Sequence, residues 1–124
     1  MNEPVEAAPK FEEISPVFPV SDIGAAVAFY RERLGFDLGW IWGDPPTLAN
    51  VCRGTISIML ALDPSKAGSG EANVGLRGVD AYYRELQTRH VQVGELDDRH
   101  YGMRDFDLVD PDGNRFVFGE PTVG

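Results

Sequence analysis

Cysteine is nearly absent from this chain of 124 residues: Cys52 stands alone, so no internal disulfide can form and a reducing, cytoplasmic compartment is expected. Cys52 lies in a strand-like segment, where a small apolar role outweighs a nucleophilic one. Basic residues are also scarce, with 11 Lys and Arg against 20 Asp and Glu and a formal charge of −9. Phosphate backbones are held by clustered Lys and Arg. No such cluster exists here, which argues against nucleic acid as a partner and leaves room for a neutral or cationic small molecule. No stretch approaches the roughly 18 apolar residues of a membrane span, and the start from Met1 to Pro9 lacks the basic and apolar regions of a secretory signal. No membrane partner is expected. Histidine occurs only twice. No serine stands in motif context with a histidine and an acid, and there is no glycine-rich phosphate loop, so no catalytic residue is assigned.

Hydrophobic residues at 43% and charged residues at 25% are the balance of an ordinary globular domain, long enough to bury a core without help from disulfides or metal. Within it the chain repeats itself. Ala28-Phe29-Tyr30-Arg31-Glu32 and Ala81-Tyr82-Tyr83-Arg84-Glu85 are nearly the same five residues, each in a helical pattern preceded by a strand-like segment. In the first helix Ile23, Val27, Tyr30 and Leu34 form one stripe, Asp22 is a suitable N-cap and Gly35 is placed to end it. In the second, Val79, Tyr82, Tyr83 and Leu86 form the stripe, with Arg84, Glu85 and Arg89 turned to water. Alternation predicts strands around Phe36 to Trp42, Thr47 to Arg53 and Thr55 to Leu62. Further strands are predicted around Ala72 to Leu76 and Val91 to Leu96. The organisation is then a mobile tail over residues 1–12, rich in Pro, Ala and Glu, a first module over 13–63, a flexible linker over 64–70 and a second module over 71–121, all in one domain.

The most specific stretch runs from Tyr101 to Gly119. It reads as two strands joined at Asp110-Pro111-Asp112-Gly113: Pro111 presets φ, Asp110 hydrogen-bonds forward to the backbone and Gly113 accepts a positive φ. Together with Val20-Ser21-Asp22 leading into Phe29-Tyr30-Arg31-Glu32-Arg33-Leu34-Gly35-Phe36, this stretch resembles the glyoxalase/bleomycin-resistance/dioxygenase superfamily, the vicinal oxygen chelate proteins. The resemblance covers roughly Ile14 to Pro121. It implies an α+β fold in which two βαβββ modules form an incomplete barrel around a cavity, often in a homodimer.

Metal-dependent members of that superfamily hold a divalent cation with His, Glu or Gln side chains on strands that point into the cup. Matching the motifs places Ser15 at the first ligand position and Val117 at the glutamate position after the turn; neither substitutes well, and near the start of the second module only Glu71 could ligate. His90, just after the second helix, suits a capping or surface role, and His100 sits in an acidic loop. No metal and no cofactor are expected. The chain resembles most the metal-free, bleomycin-resistance-like branch, whose members bind and sequester a bulky drug without turnover. A metal-dependent lyase, isomerase or dioxygenase with a displaced site built from Glu71 or His100 is the alternative.

If Ser15 and Val117 point inward, alternation turns Val17, Pro19, Arg115 and Gly119 inward with them and leaves Phe18, Val20, Phe116 and Phe118 under the helices. Ser57 and Met59 face the cavity while Ile58 and Leu60 fill the core. Trp40 and Trp42 share one face; they either stack on a planar or cationic ligand or fill the core or a dimer interface. Arg104 either anchors a ligand carboxylate or pairs with Asp105 or Asp107. The candidate ligand-binding residues are therefore Ser15, Val17, Trp40, Trp42, Ser57, Met59, Arg104, Arg115 and Val117.

Overall fold

The computed structural model describes residues 6–122. Of the expected tail, residues 1–5 lie outside them, and residues 6–16 run without regular secondary structure. The first module is β1 (Val17–Val20), α1 (Ile23–Glu32), β2 (Asp37–Trp42), β3 (Leu48–Arg53) and β4 (Ile56–Leu62); the second is β5 (Glu71–Gly75), α2 (Val79–Thr88), β6 (Asp97–Asp98), β7 (Met103–Val109) and β8 (Arg115–Pro121). Each module makes its own four-stranded sheet, in the orders β1-β4-β3-β2 and β5-β8-β7-β6. In both, the strand before the helix pairs parallel to the last strand of its module, and the other pairings are antiparallel.

The caps follow the sequence closely. Asp22 Oδ1 accepts from Ala25 N at 2.8 Å, satisfying one free donor of the first turn of α1. Gly35 turns the chain away at φ +74, a left-handed value that costs glycine little. At α2 the N-cap is Gly78, which has no side chain to offer. Glu120 on β8 supplies the oxygens instead, accepting from Gly78 N at 3.3 Å and Val79 N at 3.1 Å.

One apolar cluster joins both modules. Phe18, Val20, Ala49, Val51, Ile58 and Leu60 from the first sheet, and Val74, Phe106, Phe116 and Phe118 from the second, are buried together with Tyr30 of α1 and Tyr82 of α2. The rings of Phe18 and Phe116 approach to 4.9 Å across the seam. The helix-covered faces of the two sheets therefore share a core between them, and their other faces are turned outward. The sheets do not close into a barrel, in keeping with the incomplete barrel that the resemblance implies.

Three expectations need correction. Val91 to Leu96 forms no strand, and only Asp97–Asp98 pairs with β7. Here Gly94 N donates to Asp107 O at 2.7 Å and lies so close that a Cβ would strike the Asp107 side chain. The segment between β4 and β5 is pinned rather than loose: Gly68 N donates to Pro19 O at 3.3 Å and Gly70 N to Asn114 Oδ1 at 2.8 Å. Glu85 and Arg89 are not simply solvated. Glu85 takes both arms of Arg53, at 2.6 and 2.9 Å, while Arg89 donates to Glu32 O at 3.0 Å, so both reach across to the first module.

Candidate functional site

The register of the first sheet sets out its open face in rows. Val17, Met59, Asn50 and Trp40 are successive partners across β1, β4, β3 and β2, and Pro19, Ala61, Leu48 and Trp42 form the neighbouring row. Directly paired residues point to the same side of a sheet, so both tryptophans stand beside Met59 and Asn50 and away from the helix. Neither is in the core: Trp40 is 43% and Trp42 64% exposed. With Ile41 and Leu48 they line a shallow groove of about 430 Å³. Behind them runs a polar chain in which Ser15 Oγ donates to Ser57 Oγ at 3.0 Å and Asn50 Nδ2 donates to the same oxygen at 2.6 Å. The sequence reading did not include Asn50. Its signal was there: asparagine is disfavoured in strands, and this one interrupts the buried pair Ala49 and Val51.

The open face of the second sheet is polar and acidic. Asn73, Val117 and Asp107 form one row, and Glu71, Arg115 and Val109 the next. Arg115 is held at both ends, by Glu71 Oε1 at 2.8 Å and Asp107 Oδ2 at 3.3 Å, and the hydrogen bond to Glu71 is the main cause that pushes its guanidinium pKa up. Beside it Asp105, only 6% exposed, accepts from Arg99 Nε at 2.9 Å and from the Tyr101 hydroxyl at 2.5 Å. That hydrogen bond is the largest cause raising the Tyr101 pKa above its ordinary value. Arg115, Asp105 and Tyr101, with Asn73, Met103 and Val117, line a groove of about 420 Å³.

Eight of the nine candidate residues thus stand on two open faces. Ser15, Val17, Trp40, Trp42, Ser57 and Met59 lie on the first sheet, and Arg115 and Val117 on the second. Arg104 does not join either: it lies on the opposite side of β7, where its guanidinium binds Asp80 at 2.8 Å and Asp98 at 3.1 Å rather than the Asp105 or Asp107 weighed from the sequence. The hydrogen bond to Asp80, then that to Asp98, raises its pKa.

The residues at the superfamily's metal-ligand positions do not fit a divalent cation. Ser15 is hydrogen-bonded to Ser57, Glu71 is paired with Arg115, and Val117 has no donor atom. Among the described residues no group of three or more His, Cys, Asp and Glu is arranged to hold a metal. No helix among the described residues is long and apolar enough to cross a membrane.

The chain is a two-module α+β scaffold with an exposed aromatic face on one sheet and a charged face on the other. The chain belongs to the glyoxalase/bleomycin resistance protein/dioxygenase superfamily, whose family model matches residues 14–118. It is 25% identical to a bleomycin resistance protein of Geobacillus stearothermophilus, over 83% of this chain and 92% of that one. It is similar to TnmS3, an antibiotic-binding protein from Streptomyces sp. CB03234, at 29% identity and a TM-score of 0.75, covering 94% of this chain and 99% of that one. A bleomycin-binding protein from Streptomyces verticillus, solved with copper(II)-bleomycin, matches at 25% identity and a TM-score of 0.75, covering 90% and 97%.

Proposed function

We propose that this chain is a cytoplasmic, metal-independent binding protein that sequesters a planar or cationic antibiotic-like molecule and acts as a homodimer. The observation that carries the reading is the pair Trp40 and Trp42, both on one face of an edge strand and both left in solvent by the chain's own packing. Large aromatic side chains gain by being covered, and ring faces attract flat or cationic groups. The second open face brings Asp107 and Tyr101, which suit the positive end of such a ligand. A second copy that sets its charged face against the tryptophan face completes a cleft. Bleomycin-resistance and antibiotic-binding relatives support the same class of ligand, and the lone Cys52 suits a reducing compartment.

Titrating the protein with bleomycin while following tryptophan fluorescence tests this reading, with sedimentation velocity to establish the oligomeric state. Saturable, stoichiometric quenching without product is expected, weakened about tenfold by each of Trp40→Ala and Trp42→Ala, since an aromatic contact is worth about 0.5–1.5 kcal/mol beyond its buried area. A flat response to bleomycin and to other planar cationic drugs, or a monomer at every concentration, would refute it.

A further inference from the structure

A pocket of about 340 Å³ lies away from both open faces, at the seam between the modules. Its walls are apolar and come from both halves of the chain, with Phe36 and Ile56 on one side and Leu76 and Phe118 on the other. Gly78 in the lining has φ +93 and nothing within 4 Å of where a Cβ would stand. Three charged residues border it. Arg53 and Glu85 neutralise each other through paired contacts at 2.6 and 2.9 Å, with Arg53 also lying 5.0 Å over the Tyr82 ring. Arg77, in the short connection between β5 and α2, makes no ion pair among the described residues. Arg77 is thus the one charged lining residue without an ion pair among the described residues, while the Glu120 carboxylate sits next to the pocket on the Gly78 and Val79 amides at 3.3 and 3.1 Å.

We propose that this seam pocket is a second binding site, for a small organic acid with a single negative charge and an aromatic or branched hydrocarbon body. The apolar walls select the body. Arg77 selects the acid, because a guanidinium offers a carboxylate two parallel N–H donors. The size lies near the lower end of ligand pockets, roughly 300–1,000 Å³, which suits one ring rather than a bulky drug. An occupant touches both modules at once, so binding strengthens their packing and raises the unfolding temperature by mass action.

The test uses the whole protein with three probes of equal size, 3-phenylpropionate, 3-phenylpropan-1-ol and 3-phenylpropylamine, followed by amide chemical shifts and thermal unfolding. The acid is expected to saturate with shifts at Ile56, Leu76 and Gly78, and to raise the unfolding temperature. Arg77→Ala, an exposed change that leaves folding intact, should weaken the acid about tenfold, the loss of one screened charge-assisted contact, and abolish its advantage over the alcohol. Ala81→Phe, from an exposed position at the pocket, should block binding. Equal affinity for acid and alcohol, acid-induced shifts confined to the Trp40 and Trp42 face, or undiminished binding in Arg77→Ala would each overturn the proposal.

Discussion

Asp110→Ala removes the most heavily used carboxylate in the fold, and its cost can be worked donor by donor. The side chain is 3% exposed and accepts four hydrogen bonds: Tyr30 hydroxyl at 3.0 Å, Asn114 Nδ2 at 2.9 Å, Asn114 N at 2.9 Å and Asp112 N at 3.0 Å. Asp112 is half-buried and regains water, and Asn114 Nδ2 keeps Pro19 O at 2.8 Å. That leaves the Tyr30 hydroxyl and the Asn114 amide buried without partners. At about 1–3 kcal/mol for each stranded donor, the variant should lose about 3–5 kcal/mol, a large share of the roughly 5–15 kcal/mol that holds a domain folded. Tyr30→Phe removes one donor and leaves the carboxylate three, so about 1–2 kcal/mol is expected. In the double variant no hydroxyl is stranded, and the costs should fall short of additivity by about 1–2 kcal/mol. Urea unfolding of the four proteins reads all of these quantities. A loss below about 1 kcal/mol for Asp110→Ala, or strict additivity, would refute the assignment. The same contact has a pH signature. Burial first, and then the Asp110 charge, raise the Tyr30 pKa well above its ordinary 10.0. Below that value the phenol is protonated in both states. Above it the unfolded chain ionises before the folded one does, so stability falls as pH rises. Tyr30→Phe should remove that part of the alkaline decline.

Two other changes probe how the modules are held. Glu120→Ala strips the side-chain acceptor of the Gly78 and Val79 amides from the glycine-capped start of α2 and should cost about 1 kcal/mol in urea unfolding, with Glu120→Gln recovering part of it. Gly68→Ala should cost about 2–4 kcal/mol, read as a lowered thermal midpoint, because its φ of +87 strains any side chain and a Cβ would strike the Asp112 carbonyl. An unchanged midpoint would mean that the β4–β5 connection is as free as its composition suggests.

Local features were legible because their causes are local. Asp22 caps α1, Gly35 ends it, and Asp110, Pro111 and Gly113 fold the β7–β8 turn through contacts among near neighbours in the chain. Period-two alternation also placed Phe18, Ile58, Leu60, Phe116 and Phe118 in the core. The failures sit where distant residues decide. Val91 to Leu96 carries an apolar strand pattern, yet Gly94 packs on Asp107 and the Tyr83 hydroxyl takes the Gly94 carbonyl at 3.0 Å, which leaves no room for a ladder. Pro64 to Gly70 has the composition of a linker, but its amides find acceptors on Pro19 and Asn114, one in each module.

The faces of the candidate residues were legible as well, one sheet at a time. With Ser15 and Val117 set inward by the resemblance, alternation put Val17, Ser57 and Met59 on the side of Ser15 and Arg115 on the side of Val117. Alternation leaves Arg104 unplaced, since a residue's parity along β7 names its face only once a neighbour's face is known. Phe106, two residues on and fully buried, fixes Arg104 on the helix side, where Asp80 meets it. What alternation never specifies is which way two sheets turn relative to each other. That choice is made at the seam by Phe18 against Phe116, by the Tyr82 hydroxyl on Leu34 O at 2.9 Å and by Arg53 on Glu85. These contacts commit both helix faces to one core and leave the aromatic and acidic faces outside it. In the proposed cleft a ligand that uses both faces is held between two copies of the chain, which makes sedimentation in the presence and absence of bleomycin the measurement on which the binding reading turns.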